Sequence, residues 1–256
     1  MIFIIGGNGL TGSAIVQYMQ KTSQKFEIIQ RENKEEYFGK ECNILIFANG
    51  NAVKYKANQD PFFDFNASVT SIAEYIHKIK FKKFILISTV DVYNNKSDTN
   101  QTQEDVEINF KKLDTYGFHK YLTERYVMHF CDDYLIFRLP GLVGTGLKKN
   151  PVFDYINPEK RVMISPESEL NFINTRHIAK TIFKMLKMDL KNEIFNLASK
   201  NSIKIKNIKN IIGNESEFTE DAKNNIQKYQ INTNKIQNLV ELSTSEEAIE
   251  EYFRKL

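Results

Sequence analysis

The sequence contains no tryptophan and only two cysteines, Cys42 and Cys131, in 256 residues. Two cysteines placed this way have neither the spacing of a zinc ligand set nor the number needed for a disulfide framework. They fit a reducing compartment, where thiols stay free. The scarcity of cysteine argues against a disulfide-rich secreted module, and we expect no metal site.

The chain also lacks an apolar run long enough to cross a lipid bilayer, which takes about 20 residues. The formal net charge is only +3, and lysine and glutamate are mixed along the chain. Neither a nucleic acid nor a membrane surface is therefore an expected partner. Met1–Ile5 leads directly into Gly6, which leaves no room for a signal peptide, and we expect a cytoplasmic location.

What the sequence does contain is enough apolar material for a large core. Hydrophobic residues make up 41% of the chain, with 19 Phe and 12 Tyr. A chain of 256 residues fits one large domain with a small appendage. Short apolar runs alternate with stretches of helical spacing, which predicts an α/β fold with a parallel sheet.

A glycine pattern near the amino end gives the first functional signal. The apolar run Ile2–Ile5 is typical of a buried parallel strand. Gly6, Gly9 and Gly12 follow it as G-x-x-G-x-x-G, before apolar residues at helical spacing. Glycines allow a tight turn and a close approach of backbone to a diphosphate, and the free N–H groups of a helix start bind it. The pattern predicts a dinucleotide site; the alternative is an ordinary glycine turn.

The end of the second predicted strand, Phe26–Gln30, bears on which dinucleotide binds. An acidic residue there usually bonds the ribose 2′-hydroxyl of NAD, whereas an arginine suits the 2′-phosphate of NADP. Arg31 follows the strand directly and Glu32 comes one place later. We therefore expect NADP(H), with Arg31 on the phosphate. A register shifted by one residue would bring Glu32 into place and make NAD(H) the cofactor.

Only about a dozen residues separate this strand from the next, which leaves hardly any space for another strand and helix. The next strand is predicted over Asn43–Ala48, and Asn49, Gly50 and Asn51 form a turn at its carboxyl end. Open α/β sheets bind ligands at that edge. Ala48 and Gly50 are small enough to let a cofactor pass.

The following elements bring a hydroxyl group to the same edge of the sheet. A helix around Asp64–Lys80 has an apolar inner face, and the buried strand Phe84–Ile87 leads to Thr89. A hydroxyl at the carboxyl end of a central strand is well placed to hold a substrate carbonyl. The polar, acidic segment 94–112 is predicted to form a loop over the site.

Tyr116 and Lys120 lie four residues apart in a stretch of helical spacing, so they share one face of a helix. A tyrosine is a poor acid or base at neutral pH, but a nearby cation favours the phenolate and lowers its pKa. The pair predicts a general acid/base for proton transfer coupled to hydride transfer. Alone, the spacing also fits a half-buried tyrosine and a solvated lysine.

Together these motifs resemble the extended short-chain dehydrogenase/reductase family, in particular its branch of nucleotide-sugar epimerases, dehydratases and reductases. The matching segments follow the family's order and extend from residue 1 to about residue 200. They are the glycine pattern, Ser88-Thr89-x-x-Val92-Tyr93, Tyr116-x-x-x-Lys120 with Glu124, Arg138-Leu139-Pro140-Gly141, and the later segments 172–179 and 194–197.

The resemblance implies a role for each matching residue. Tyr116 would be the acid/base, Lys120 would bind the nicotinamide ribose and tune Tyr116, and Thr89 would polarise the substrate carbonyl. Leu139, Pro140 and Gly141 would lie against the nicotinamide. The full set of expected cofactor contacts is Gly6, Gly9, Leu10, Gly12, Arg31, Ala48, Asn49, Gly50, Leu139 and Pro140.

Substrate contacts are expected from Asp91, Lys149 and Asn150. Lys149 and Asn150 lie in a basic turn that suits the diphosphate of a nucleotide sugar, although a solvated lysine pair fits the turn equally well. Dehydratases of this branch carry an Asp-Glu pair where this chain has Val90 and Asp91. The missing pair argues against 4,6-dehydration and leaves Asp91 as a lone acid or base. His177 stands where an aspartate is common, and we expect a structural role for it.

The sequence thus predicts a Rossmann-like, doubly wound parallel sheet with a small substrate lobe. The sheet domain takes residues 1–145, with 172–198 returning to it, and the lobe takes 146–171 and 199–256. The expected activity is NADP(H)-dependent reduction of a 4-keto nucleotide sugar. The alternatives are a C4 epimerase that keeps its NAD and a non-catalytic NADP-binding redox sensor. Tyr121, Tyr126 and Phe130 on the helix of Tyr116 are expected to serve the core. The family resemblance leaves a homodimer through this helix as the alternative.

Overall fold

Short apolar runs and amphipathic stretches of the sequence form alternating strands and helices. The computed structural model describes residues 1–50 and 54–256. The strands are β1 (Ile2–Ile5), β2 (Phe26–Ile29), β3 (Glu41–Phe47), β4 (Lys80–Thr89), β5 (Tyr134–Leu139), β6 (Gly141–Val143), β7 (Glu169–Leu170), β8 (Phe172–Asn174), β9 (Glu193–Asn196) and β10 (Ile203–Lys204). The α-helices are α1 (Leu10–Lys21), α2 (Lys54–Gln59), α3 (Pro61–Phe65), α4 (Ser71–Lys78), α5 (Thr115–Phe130), α6 (Pro151–Ile156), α7 (Thr175–Met185), α8 (Lys209–Ile212), α9 (Asn234–Gln237) and α10 (Ser245–Phe253).

Six of the strands form one parallel sheet in the order β2-β1-β3-β4-β5-β9. β1 lies between β2 and β3, with Ile5 opposite both Ile29 and Phe47, so the direction of strand order reverses at β1. In open α/β sheets the crevice at such a reversal, outside the carboxyl ends of the strands, binds ligands. The predicted fold class, a Rossmann-like doubly wound parallel sheet, is confirmed.

β2 forms one edge of this sheet. Residues 30–40, all of them described, hold a short 3-10 helix, Lys34–Tyr37, and turns. The prediction that no further strand and helix fit between β2 and β3 is confirmed. This edge of the sheet is therefore bordered by turns rather than by another strand.

Two apolar clusters cover the two faces of the sheet. One includes Ile4 and Ile46 together with residues of α1 and α7, where the rings of Tyr18 and Phe183 stack with centroids 4.9 Å apart. The other includes Leu45 together with residues of α4 and α5. Because successive residues of a strand point to opposite faces, each central strand supplies both clusters and reads as a continuous apolar run.

The helix predicted from Asp64 to Lys80 begins earlier than expected and is not regular. α3 starts at Pro61, since the Asp60 side chain accepts a hydrogen bond from a first-turn N–H at 3.0 Å and proline fits the first turn. A π-helical segment, Asn66–Thr70, then joins α3 to α4; such segments are frequent at functional sites. Lys80 was predicted to be helical but begins β4, where it pairs with β3.

Residues outside the sheet domain share a further apolar cluster, which also includes Val143 and Phe172 at its border. Val152 and Leu170 from the first predicted segment of the lobe, 146–171, pack in one cluster with Ile249 from the second, 199–256. β7 and β10 pair antiparallel and link the same two segments. This shared core gives the predicted lobe a physical basis, and its boundaries stay a prediction.

Segment 94–112 was predicted to lie over the site, and most of it packs elsewhere. Thr102 donates a hydrogen bond to the carbonyl of Gln230 at 2.9 Å, and Glu104 accepts one from the backbone of Asn196 at 2.8 Å. The segment also buries Ile108 in an apolar cluster, which holds it along the ends of β5 and β9. None of its described residues lines the groove beside the glycine turn or the cavity beside Tyr116.

Within the described part of the chain, none of the helices combines the length and the apolar character needed to span a membrane.

A buried charge network fastens α5 to the sheet. Glu124 of α5 accepts hydrogen bonds from Arg138 of β5 at 2.7 and 3.1 Å, and from Ser88 of β4. Arg138 also donates to the Tyr93 hydroxyl at 2.9 Å, which in turn donates to Asn196 of β9 at 2.8 Å. The side chains of Arg138 and Glu124 are only 2% and 1% exposed. The network therefore fixes the position of α5 relative to three strands.

Replacing Arg138 by leucine (Arg138→Leu) should lower the free energy of unfolding by about 3–5 kcal/mol, because Glu124 is left buried without its counter-charge. Urea unfolding followed by circular dichroism measures this loss. Arg161→Leu is the matched control, since the ion pair of Arg161 with Glu217 is exposed and contributes little. Equal losses in the two variants would contradict a special role for the buried pair.

Candidate active site

The glycine turn between β1 and α1 requires glycine at two positions. Gly6 has a φ of +81°, and a Cβ there would lie 2.8 Å from the backbone of Ala48. A Cβ on Gly12 would come within 2.1 Å of the Gly6 carbonyl oxygen. α1 begins at Leu10 with Gly9 as its N-cap, so the cap has no side chain to cover the first N–H groups. Those groups and the helix dipole favour an anion, and the turn has the shape and charge to bind a diphosphate.

A groove of about 960 Å³ follows the carboxyl ends of β1, β2 and β3. Its walls include five of the predicted cofactor positions, namely Gly6, Gly9, Arg31, Asn49 and Gly50. The π-helical segment also contributes Asn66, whose side-chain oxygen accepts a hydrogen bond from Thr70 at 3.0 Å. Asn51, part of the predicted turn, lies outside the described residues.

The outer end of the groove carries charges of both signs. Arg31 and Glu32 are exposed there, and the Lys34 ammonium beside them pairs with Glu74 at 2.6 Å. Burial raises the pKa of the Tyr75 phenol in the same wall, Glu74 and Glu32 raise it further, and Arg31 opposes them. This end of the groove suits either a 2′-hydroxyl or a 2′-phosphate.

A second cavity, of about 520 Å³, opens between the ends of β4 and β5, the start of α5 and the lobe. Thr89 and Tyr116 line it, as does Pro140 after β5. Leu10 also lines the cavity, while its neighbour Gly9 lines the groove. The groove and the cavity therefore reach neighbouring residues at the start of α1.

Thr89 and Tyr116 face the same cavity, and Thr89 acts to lower the pKa of the Tyr116 phenol. The Thr89 hydroxyl accepts a hydrogen bond from the N–H of Asp91 at 3.2 Å. Burial raises the pKa of the Tyr116 phenol, and the negative charges of Asp91 and Asp64 raise it further, against the opposing effect of Thr89. The structure thus brings the two predicted hydroxyl groups together and keeps Tyr116 protonated at neutral pH.

Burial and nearby carboxylates raise the pKa of Tyr116 in the protein, and the tuning of Tyr116 by Lys120 stays a prediction. Lys120 is 7% exposed, and its ammonium lies 3.0 Å from the place where a Cβ on Gly50 would stand. It therefore borders the groove, whereas Tyr116 lies in the wall of the cavity. Burial lowers the pKa of Lys120, and the carboxylates of Asp64 and Glu124 oppose that effect.

Asp91 is the centre of a charged cluster in the cavity wall. Its Oδ1 accepts hydrogen bonds from the Tyr229 hydroxyl at 2.7 Å and from Lys54 at 3.0 Å, and the Lys96 ammonium lies 3.6 Å away. Burial works to raise the pKa of Asp91, but Lys54 and Lys96 outweigh it and the pKa is lowered. Lys54 also pairs with Asp114, the N-cap of α5, at 2.8 Å. An ionised carboxylate thus stands beside Tyr116.

Lys149 and Asn150 both line the cavity, and burial lowers the pKa of Lys149. The Asn150 side chain accepts a hydrogen bond from the N–H of Phe153 at 2.8 Å and donates one to the carbonyl of Leu142 at 2.7 Å. Asn150 therefore caps α6, and most of its hydrogen-bonding capacity serves the fold.

Two further predicted positions serve mainly to hold the site in place. Leu139 ends β5 and is buried in one of the sheet clusters. His177 bonds to the Ser243 hydroxyl at 2.9 Å and pairs with Glu251 at 3.0 Å, so it joins α7 to α10 as a structural residue. Among residues 1–50 and 54–256, no group of three or more His, Cys, Asp or Glu side chains could hold a metal ion.

The comparisons with known proteins agree with this geometry. The sequence matches the model of the NAD dependent epimerase/dehydratase family over residues 2–198. No curated protein matches the sequence.

Three solved structures illustrate how widely the fold is shared. A mutant of UDP-glucuronic acid 4-epimerase from Bacillus cereus, in complex with UDP-4-deoxy-4-fluoro-glucuronic acid and NAD, is similar with a TM-score of 0.81 at 15% identity, over 99% of this chain and 98% of that chain. UDP-N-acetylglucosamine 4-epimerase from Methanobrevibacter ruminantium gives 0.80 at 14% identity, over 99% and 96%. dTDP-4-dehydrorhamnose reductase from Bacillus anthracis, in complex with NADP, gives 0.78 at 14% identity, over 100% and 98%.

At such low identities the structural similarity establishes the fold, and the family model establishes the relationship. The resemblance inferred from the glycine turn and from Tyr116 and Lys120 is confirmed. The chain belongs to the NAD-dependent epimerase/dehydratase family of enzymes.

Proposed function

We propose that the chain is an NADP(H)-dependent reductase of a 4-keto nucleotide sugar. The observation that carries this proposal is that Thr89 and Tyr116 together line a cavity next to the glycine-lined groove. A nicotinamide bound in the groove would deliver hydride to a keto carbon in the cavity. Tyr116 would supply the proton and Thr89 would hold the oxygen.

The groove has the features that a dinucleotide requires. The turn from Gly6 to Gly12, with the helix start at Leu10, would hold the diphosphate. Lys120 borders the groove beside Gly50 and would bind the nicotinamide ribose. Asn49, preceded by Ala48, and Pro140, which follows the buried Leu139, would contact the cofactor, and Arg31 at the outer end would pair with the 2′-phosphate of NADP.

The cavity suits a sugar attached to a diphosphate. The ionised Asp91 can accept hydrogen bonds from sugar hydroxyls, and Lys149 supplies positive charge for a phosphate, with Asn150 beside it. Val90 is 1% exposed and lies in an apolar cluster. It therefore brings no second carboxylate, which favours reduction over 4,6-dehydration. The similar structures named above include enzymes of UDP- and dTDP-linked sugars, which supports a nucleotide sugar as the substrate.

A C4 epimerase that keeps its NAD is the second candidate, because UDP-sugar 4-epimerases are among the similar structures. Two features favour the reductase. Arg31 follows β2 directly, as expected for NADP. The turns of residues 30–40 stand in place of a further strand beside β2, so the adenine end of the cofactor has fewer contacts and the cofactor is free to exchange.

With NADPH and a dTDP- or UDP-linked 4-keto-6-deoxyhexose, the wild-type protein should oxidise the cofactor. Tyr116→Phe should lower kcat about 10²- to 10⁴-fold, because the proton donor is removed. Absorbance at the nicotinamide band measures both rates, and Tyr121→Phe on the same helix is the matched control. A protein that retains NAD and interconverts UDP-sugars without added cofactor would instead be the epimerase. A function that survives in Tyr116→Phe would indicate the redox sensor.

Asp91→Asn should shift the pH profile of the reduction. Tyr116 donates a proton, so kcat/KM is lost as pH rises through its pKa. The Asp91 charge raises that pKa, and its removal should lower it, so that activity begins to fall at a lower pH. A profile of kcat/KM against pH tests this, with the exposed Asp105 as control (Asp105→Asn). An alkaline limb that stays in place or moves upward would contradict the electrostatic role of Asp91.

Arg31→Ala should raise the Kd for NADPH about tenfold, which corresponds to about 1.4 kcal/mol, and should leave the Kd for NADH nearly unchanged. The physical reason is that the guanidinium pairs with a phosphate that NADH lacks. Fluorescence titration measures both constants, and Glu32→Ala is the neighbouring comparison. A wild-type preference for NADH that Glu32→Ala weakens would contradict the assignment of NADP.

A further inference from the structure

Two buried polar atoms close to Lys120 have no hydrogen-bond partner in the described part of the chain. They are the Oδ1 of Asp64 and the Oγ of Ser68, and these residues are 0% and 1% exposed. Buried polar atoms in proteins almost always have a partner, and the exceptions usually mark an ordered water or a functional group. Neither atom belongs to a residue that the proposed reaction uses.

Asp64 and Ser68 lie near Lys120, separated from its ammonium group by a gap and not in direct contact with it. Asp64 and Ser68 lie four residues apart on the helical run that continues from α3 into the π-helical segment, so their side chains share a face. The Ser68 Oγ and the Lys120 Nζ lie 3.6 and 3.0 Å from one point, the Cβ position of Gly50. The carboxylate of Asp64 is also the strongest charge acting on Lys120. A water bound between these groups would satisfy both unpartnered atoms.

His119 connects this buried cluster to the surface. Its Nδ1 lies 2.7 Å from the second carboxylate oxygen of Asp64. On the outer side it lines a surface pocket of about 420 Å³, together with Phe110, Lys111 and Phe118. The chain therefore places a histidine and a carboxylate in series between this pocket and Lys120.

We infer that His119 and Asp64 are the outer part of a proton path that leads from the surface pocket, through Lys120, to Tyr116. The inference rests on the proposed reductase activity. Reduction of a ketone by NADPH takes a hydride from the cofactor and one proton from the solvent. Tyr116 gives its proton to the product oxygen and becomes a phenolate, and the Lys120 ammonium returns a proton to it. The neutral lysine is then recharged by a solvent proton that passes along His119 and Asp64.

This path distinguishes the two candidate activities. A C4 epimerase takes a proton in one half of its cycle and returns it in the other, so it consumes none. A reductase must import one proton for each turnover, and here Lys120 is buried while Tyr116 is half-buried. A titratable pair that connects the acid/base to a separate surface pocket serves the second case and not the first.

The test removes the histidine and supplies a substitute from solution. With NADPH and dTDP-4-keto-6-deoxyglucose, His119→Ala should lower kcat about 100-fold, with little change in KM. Added imidazole should restore kcat, because it can occupy the vacated space and carry the proton. Pyrazole, a ring of the same size that remains neutral, should not restore it. His129→Ala, an exposed histidine on the same helix, is the matched control and should retain its kcat.

Two outcomes would overturn the path. One is an unchanged kcat in His119→Ala. The other is a loss that imidazole and pyrazole restore equally or both leave in place, since His119 would then act only through packing. If His119→Ala does not fold, His119→Gln should show a larger solvent deuterium isotope effect on kcat than the wild type, and an equal effect would overturn the path as well.

The failure of the path and the failure of the proposed function give different results. A wild-type protein that reduces the keto sugar while His119→Ala is unaffected or is not rescued by imidazole loses the path but keeps the reductase. A wild-type protein that oxidises no NADPH and instead interconverts UDP-sugars loses the reductase, and the path with it.

Discussion

The ion pair between Glu124 and Arg138 is the interaction on which the geometry of the site depends. It fixes α5, which carries Tyr116 and Lys120, against β4 and β5. Thr89 ends β4, so the same contact sets the distance between the two hydroxyl groups. Burying both charges costs free energy unless they pair with each other. Any other position of α5 against the sheet is therefore unfavourable. The buried ion pair between Glu124 and Arg138 thus sets the position of Tyr116 relative to Thr89.

Tyr116 and Lys120 lie in different electrostatic surroundings. Tyr116 lies in the cavity wall, where burial and the charges of Asp91 and Asp64 raise its pKa. Lys120 borders the groove beside Gly50. The phenol is therefore held in its protonated form, which suits a proton donor in reduction. Lys54 and Lys96 hold the pKa of Asp91 below its usual value, so its carboxylate is ionised and does not compete with Tyr116 as an acid.

Local patterns were sufficient to predict the parts of the site that depend on local backbone geometry. The glycine turn and the shared helix face of Tyr116 and Lys120 can be predicted from neighbouring residues. Strands, turns and helices each follow a geometric pattern that repeats within a few residues. The cluster around Asp91 was not predictable in this way. Tyr229 lies 138 residues from Asp91, and the raised pKa of Tyr116 comes from burial by the folded chain and from carboxylates on other elements. Such effects exist only once the fold has brought distant segments together.

The central claim is that a hydride passes from the groove into the cavity and onto a sugar carbonyl. NADPH carrying deuterium at C4 of the nicotinamide, incubated with the protein and dTDP-4-keto-6-deoxyglucose, tests it directly. The account predicts an alcohol with deuterium on C4 of the sugar, in amounts equal to the NADP⁺ formed, by NMR spectroscopy. A product without deuterium at that carbon, or no oxidation of NADPH, would contradict it.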